Sequence, residues 1–220
     1  MRRPLRRGKA PVSFSLQTNT QWSKLIYVKN IREYIGSLGV WCFFSNYDGG
    51  SDKRYLALDF EGVILHSTIR RPEHRYDFFV QYPANGEICT HFITLRPMVK
   101  EFIESVSEWY HLVLYTTAEQ EYADAIADKL EKKGKIFLKR LYRTDCDYLD
   151  GKYLRDPEKV ASDLSSVVIL SADYTHYNNK LPIDPYDGDT KDCYLLSTIA
   201  VLDSLRYCHD VRSILELANL

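Results

Sequence analysis

The residues of this chain best placed for chemistry lie in the stretch Tyr55-Leu56-Ala57-Leu58-Asp59-Phe60-Glu61-Gly62. Four mostly apolar residues run directly into an acid, a second acid follows two positions later, and Gly62 breaks the pattern. A short apolar run of this kind reads as a buried parallel strand. It would carry the Asp59 carboxylate to the carboxyl edge of a sheet, where α/β folds place their sites. A carboxylate there can serve as a covalent nucleophile. The plainer alternative is that it caps the turn beginning at Gly62.

Several further elements must hold that strand in place. Tyr76 to Tyr82 and Glu87 to Leu95 are rich in strand formers and flank Asn85-Gly86, so a two-stranded flap is expected after the first strand. Arg96-Pro97 opens a helix to about Trp109, with Met98, Phe102, Ile103 and Val106 on one face. His111 to Tyr115 and Ser166 to Leu170 read as buried strands, and Ile136 to Tyr142 as another. Between them Glu119 to Lys133 forms a charged helix that stops at Gly134, and Asp150-Gly151 marks a second hairpin. Helices at about Lys191 to Tyr207 and Asp210 to Leu217 close the chain. Strands alternating with helices predict an α/β fold, doubly wound around a mainly parallel sheet.

A chain of 220 residues suffices for one sizeable core with a short appendage. Its charge is nearly balanced, 29 basic residues against 30 acidic, but unevenly spread. Arg2, Arg3, Arg6, Arg7, Lys9, Lys24, Lys29 and Arg32 precede the first acid, Glu33, so an acidic body follows a basic arm. Residues 1–16 have the Arg-rich, acid-free composition of a mitochondrial targeting segment, or of a tail that meets an anionic partner or RNA. Residues 17–53 form an N-terminal extension, with a helix expected over Ser23 to Tyr34, and 54–220 the α/β domain. The five cysteines (42, 89, 146, 193 and 208) lack metal spacing and read as free thiols, and the six histidines show no ligand spacing. No run near the N-terminus approaches the roughly 20 apolar residues of a membrane helix. The 17 tyrosines suit a protein interface, although tyrosine also favours strands.

The stretch 58–67, LDFEGVILHS, resembles the nucleophile motif of the haloacid dehalogenase superfamily, Asp-x-Asp-x-Thr followed by apolar residues. With LRPMVKEFI (95–103), VLYTTAEQEYAD (113–124), RLYRTDCDYLDGKYLRD (140–156) and VVIL (167–170), its order and spacing resemble the small phosphatases acting on the RNA polymerase C-terminal domain. That family is also called NLI-interacting-factor-like. Within it, residues 184–215 look most like the mitochondrial branch that includes the presequence-translocase receptor, with Tyr186-Asp187-Gly188 and Asp210-Val211-Arg212 at the matching places.

The resemblance implies an aspartyl-phosphate mechanism, and its residues can be set out in turn. Asp59 stands at the nucleophile, Glu61 at the acid/base in place of Asp, and Val63 where the motif has Thr. One added methylene matters, because displacements of about 1 Å can cost about 100-fold in rate. Thr116 stands at the phosphate-binding hydroxyl and Arg155 at the family's Lys, a planar fork replacing a point charge. Ser171 stands where the family's third strand delivers a Mg²⁺-binding Asp, and Asp173 falls two positions late. Mg²⁺ needs oxygen ligands in near-octahedral array, so these changes argue against turnover.

Three readings follow. The first is a non-catalytic, cofactor-free scaffold subunit of a mitochondrial translocase, ribosome or respiratory assembly. The second is a soluble presequence receptor, with the acids of the charged helix (Glu119, Glu121, Asp124, Asp128) drawing in basic presequences. The third is an active Mg²⁺-dependent Ser/Thr phosphatase with Asp59 and Asp173 at the metal.

Overall fold

The computed structural model describes residues 53–73, 75–173 and 177–218. The basic arm, the extension as far as Asp52, Cys42, His74 and His176 lie outside them. In chain order the elements are β1 (Arg54–Leu58), β2 (Leu65–Thr68), β3 (Phe78–Ala84), β4 (Glu87–Leu95), α1 (Val99–Trp109), β5 (Tyr110–Tyr115) and α2 (Gln120–Leu130). There follow β6 (Lys139–Leu141), β7 (Asp147–Leu149), β8 (Lys152–Leu154), β9 (Val167–Ser171), β10 (Lys180–Pro182), α3 (Tyr194–Leu205) and α4 (Arg212–Ala218). No helix among the described residues is long and apolar enough to cross a membrane.

Five strands form one parallel sheet in the order β10-β9-β1-β5-β6, with β1 at its centre. Leu56 and Leu58 face the main core with Leu112, Leu114, Val168 and Leu170, where Phe102, Ile126, Leu195 and Leu202 of the helices cover them. Ala57, Val113 and Ile169 face the other side and meet Tyr115, Val160 and Val167. Burial on both faces is why β1 reads as a continuous apolar run rather than an alternating one. The helix α1 buries Val99, Phe102 and Val106, spaced by helical turns, and the Tyr110 hydroxyl donates to the Leu202 carbonyl at 2.7 Å, fastening β5 to α3. The expected α/β fold with a mainly parallel central sheet is the one observed.

Three local expectations are corrected. The flap has three strands in the order β2-β4-β3, not two. Its hairpin turns where expected, with Asn85 (φ 52°) and Gly86 (φ 82°) both left-handed, as a two-residue turn requires. The third strand, β2, escaped notice because Leu-His-Ser-Thr is short and only its first residue is fully buried. The strand expected over Ile136 to Tyr142 shrinks to β6, because Glu131 Oε1 accepts the N–H groups of Ile136 (2.7 Å) and Phe137 (2.8 Å) before they reach the sheet. The edge strand β10 is three residues long and left no legible pattern.

The turn after β1 is tight. Ile64 and Leu65 both donate their N–H to the Phe60 carbonyl at 3.1 Å, and Gly62 donates to Leu65 at 2.9 Å. Gly62 has φ 72°, and a Cβ there would stand 3.3 Å from that of Ala172. Arg96, 1% exposed, locks this turn from behind. Its Nη1 donates to the carbonyls of Gly62 and Val63, both at 3.1 Å, and its Nη2 to that of Asp184 at 2.9 Å. Asp192 completes the arrangement with a bidentate pair, both bonds 2.8 Å. A buried cation with every donor used is stable; its removal strands a buried carboxylate and three carbonyls. Arg96→Leu is therefore expected to lower unfolding free energy by about 3–5 kcal/mol in urea titrations, far more than removing the exposed Lys100–Glu104 pair.

Candidate active site

The carboxyl ends of β1, β5 and β9 lie side by side, and each delivers a polar residue to the same place. Asp59 follows β1 and is 8% exposed. Its Oδ1 accepts the Phe60 N–H at 2.7 Å, its Oδ2 accepts Arg155 Nη2, and the Thr116 hydroxyl also bonds to the carboxyl. Burial pushes this carboxyl above the usual carboxylate range, against the opposing pull of Arg155, Thr116 and the Phe60 N–H. Thr116, just past β5, is 1% exposed; its N–H reaches the Leu141 carbonyl at 3.0 Å and its hydroxyl accepts the Ala118 N–H at 3.2 Å. The hydroxyl thus serves both the turn and the carboxylate.

Arg155 is the hub. It is 2% exposed and follows β8. Its Nε donates to the Tyr115 carbonyl at 2.9 Å, its Nη1 to Ser171 Oγ at 3.2 Å and to Asp173 Oδ2, and its Nη2 to Asp59. Burial disfavours the charge, but Asp59 and Asp173 outweigh it and hold the guanidinium protonated. Asp173 is further held by Ser171 Oγ at 2.8 Å and by Lys180 Nζ, 3.2 Å from its Oδ1.

Glu61 is held separately, beside Asp59. Its Oε1 accepts the Tyr122 hydroxyl of α2. The Tyr122 ring lies 4.9 Å from the His91 ring and 5.4 Å from that of Tyr82, both from the flap. His91 Nε2 pairs with the Tyr82 hydroxyl at 3.1 Å, and its Nδ1 lies 3.4 Å from Ser67 Oγ. Burial holds the His91 imidazole below its usual pKa, opposed by Glu61. The flap therefore builds an aromatic wall around the second acid. Val63 is fully buried in the main core, so hydrocarbon stands where the motif has a hydroxyl.

Of the predicted residues, the structure brings together Asp59, Thr116, Arg155, Ser171 and Asp173, with Glu61 beside them on its own wall. Sequence reasoning missed Tyr122, Tyr82, His91 and Lys180. Tyr122 lay inside a quoted motif, where its helical position drew no attention. Lys180 sits on the short β10, and nothing in the sequence pairs it with Asp173. The four described cysteines are free, and burial pushes the thiols of Cys146 and Cys208 up to about 11.

The donor set fits a divalent cation poorly. Ser171 supplies a neutral oxygen already bonded to Arg155 and Asp173, and both carboxylates are held by one guanidinium. Among the described residues no group of three or more His, Cys, Asp or Glu is placed to hold a metal.

A buried carboxylate after the central strand of such a sheet, with a hydroxyl and a cation converging on it, defines a phosphatase-like α/β domain of the haloacid dehalogenase kind. The chain belongs to the NLI interacting factor-like phosphatase family, whose profile matches residues 54–212. Phosphatases of this kind typically use Mg²⁺. CTD nuclear envelope phosphatase 1 of Xenopus tropicalis is 37% identical over 175 residues, covering 74% of this chain and 72% of the relative. CTD nuclear envelope phosphatase 1B of Danio rerio is 34% identical over 219 residues, covering 90% of this chain and 89% of the relative. The solved structure of Fcp1, an essential RNA polymerase II CTD phosphatase, matches with TM-score 0.52 and 19% identity over 90% of this chain and 53% of that chain, a likeness of fold.

These relatives overturn the mitochondrial reading. They carry nuclear-envelope phosphatase names, so the mitochondrial localisation, the scaffold role in a mitochondrial assembly and the import-receptor role are set aside. The tail 184–215 misled for a physical reason: it is dictated by packing. Tyr186 is buried, donates its N–H to Gly62 at 2.8 Å and its hydroxyl to Leu95 at 3.2 Å, while Asp192 anchors Arg96. On the acidic helix Arg140 pairs with Asp124 and Asp128 and Arg143 with Glu119, while Glu121 is exposed.

Carboxyl-carbon NMR is expected to give Asp59 a titration midpoint above the ordinary aspartate range. Arg155→Gln removes the principal opposing cation, so the midpoint moves higher still.

Proposed function

We propose that this domain is a protein serine/threonine phosphatase that works through a covalent phosphoryl-Asp59 intermediate. The observation that carries the reading is the convergence of Arg155, which follows the hairpin strand β8, on Asp59 and Thr116 at the ends of the adjacent parallel strands β1 and β5, all three buried. A carboxylate has about four lone-pair sites. Phe60, Arg155 and Thr116 occupy three, leaving one to attack phosphorus. In the first step the Asp59 oxygen–phosphorus bond forms, the phosphorus–serine oxygen bond breaks, and Glu61 protonates the departing oxygen. In the second, Glu61 takes a proton from water as its oxygen attacks phosphorus and frees Asp59. Tyr122 orients Glu61, and the flap's Tyr82 and His91 brace Tyr122. Arg155 supplies planar, bidentate donors suited to phosphoryl oxygens.

The names of the relatives support a nuclear-envelope setting, and we place this chain there. A tagged full-length chain should mark the nuclear rim; a mitochondrial pattern would contradict the placement.

The chemical test is turnover of an aryl phosphate and of a phosphoserine peptide by the purified chain. Asp59→Asn is expected to abolish it, and Glu61→Gln to lower kcat by about 10²–10⁴. Tyr122→Phe is expected to lower kcat with little change in KM, since the hydroxyl touches Glu61 rather than substrate. Because Asp59 attacks only when ionised and its pKa is raised, kcat/KM should climb with pH through a limb above the ordinary aspartate range. Wild-type activity matched by Asp59→Asn would reject the mechanism.

A further inference from the structure

The point between the Asp59 and Asp173 carboxylates is already occupied by a charge. The Arg155 guanidinium bonds to both and to Ser171 Oγ, and its Nε is pinned to the Tyr115 carbonyl at 2.9 Å. It cannot swing aside without losing bonds to four residues on three chain segments, and at 2% exposure it has little contact with solvent to replace them. Asp59 and Asp173 are each paired with a cation, Arg155 bonding to both and Lys180, its side chain 5% exposed, to Asp173. A divalent cation would have to displace the guanidinium from both carboxylates, and a neutral hydroxyl rather than a carboxylate ends β9. Yet a phosphoryl group arriving with two negative charges needs a cation beside it.

We propose that Arg155 is the resident cation of this site, binding the phosphomonoester dianion without a divalent metal. The assignment rests on the phosphatase reading for its substrate, but not for its geometry. A guanidinium suits the task, because it stays charged, is weakly hydrated and meets two phosphoryl oxygens at once. Asp173 then has a definite job. It holds the second arm of the fork while the site is free of phosphate. With its side chain 30% exposed and Lys180 beside it, it can yield that arm to a phosphoryl oxygen and remain paired.

The test uses the full chain and two probes, Mn²⁺ alone, followed by its paramagnetic resonance, and inorganic phosphate, followed by calorimetry. Wild type is expected to show no stoichiometric Mn²⁺ site, and to bind phosphate equally well in chelator and in Mg²⁺. Arg155→Met is expected to weaken phosphate by about 10–100-fold, the value of a charged hydrogen-bond pair. Arg155→Lys, which keeps the charge but loses the fork, should fall between them and guards against a Met variant that fails to fold. Adding Ser171→Asp to Arg155→Lys raises the carboxylate count and is expected to create a stoichiometric Mn²⁺ site.

One Mn²⁺ bound by wild type and lost in Asp59→Asn would overturn the assignment while leaving the phosphatase reading intact. Phosphate bound only with Mg²⁺, or in neither buffer, would overturn it as well. Phosphate bound in both buffers without turnover of any phosphoester would leave the cation assignment standing and remove the phosphatase reading instead.

Discussion

Everything at the functional edge of this molecule depends on one buried guanidinium. Arg155 gathers the ends of β1, β5 and β9 by bonding to Asp59, to the Tyr115 carbonyl, and to Ser171 and Asp173. Two carboxylates facing one another would repel, and the buried Asp59 would protonate or draw water into the fold. The fork removes both problems, and it does so at the only edge of a parallel sheet where backbone and side chains leave room for a ligand. The same interaction sets the chemistry. It keeps Asp59 within reach of ionisation despite its burial, and it holds a cation against the point where a phosphoryl group must sit.

A second guanidinium does the mechanical work. Arg96 has no part in the reaction, yet it fixes the turn that carries Glu61 by binding the carbonyls of Gly62 and Val63 and tying them to Asp184 and Asp192. The rings of Tyr186 and Tyr194 lie about it, with centroids 5.6 and 5.5 Å from its guanidinium carbon. The flap reaches the site from the other direction, through Tyr82 and His91 onto Tyr122 and so onto Glu61. The nucleophile and the second acid are thus positioned by different parts of the fold. Asp59 is held by the sheet, and Glu61 by the turn, the flap and α2. Damage to the flap should therefore be felt at Glu61 before it is felt at Asp59.

Much of this was legible in the sequence because burial on both sheet faces leaves a strong trace. The runs at 55–58, 111–115 and 166–170 became β1, β5 and β9 almost unchanged, and the acid ending the first of them is the buried Asp59. Features that depend on tertiary partners were not legible. Nothing local marks Leu65–Thr68 as a strand, since its pairing is supplied by β4, and Glu131 shortened β6 by capturing two amides across a loop. Ser171 and Asp173 could be read as a lost metal site, but their shared attachment to Arg155 could not, because it links residues 16 and 18 positions apart through space. The tail was misread in a different way. Tyr186 and Asp192, which pack around Arg96, lie in the stretch that resembled the mitochondrial branch, whereas the relatives carry nuclear-envelope phosphatase names.

The most direct measurement is chemical capture of the intermediate. Wild-type protein turning over an aryl phosphate would be quenched in acid, reduced with borohydride and digested, and its peptides read by mass spectrometry. An acyl phosphate on a carboxylate is reduced to an alcohol, whereas a free carboxylate is not. The account predicts substrate-dependent conversion of Asp59 to homoserine within the peptide that spans β1 and its turn. Turnover with Asp59 unmodified, or with the reduced residue elsewhere in the chain, would contradict it.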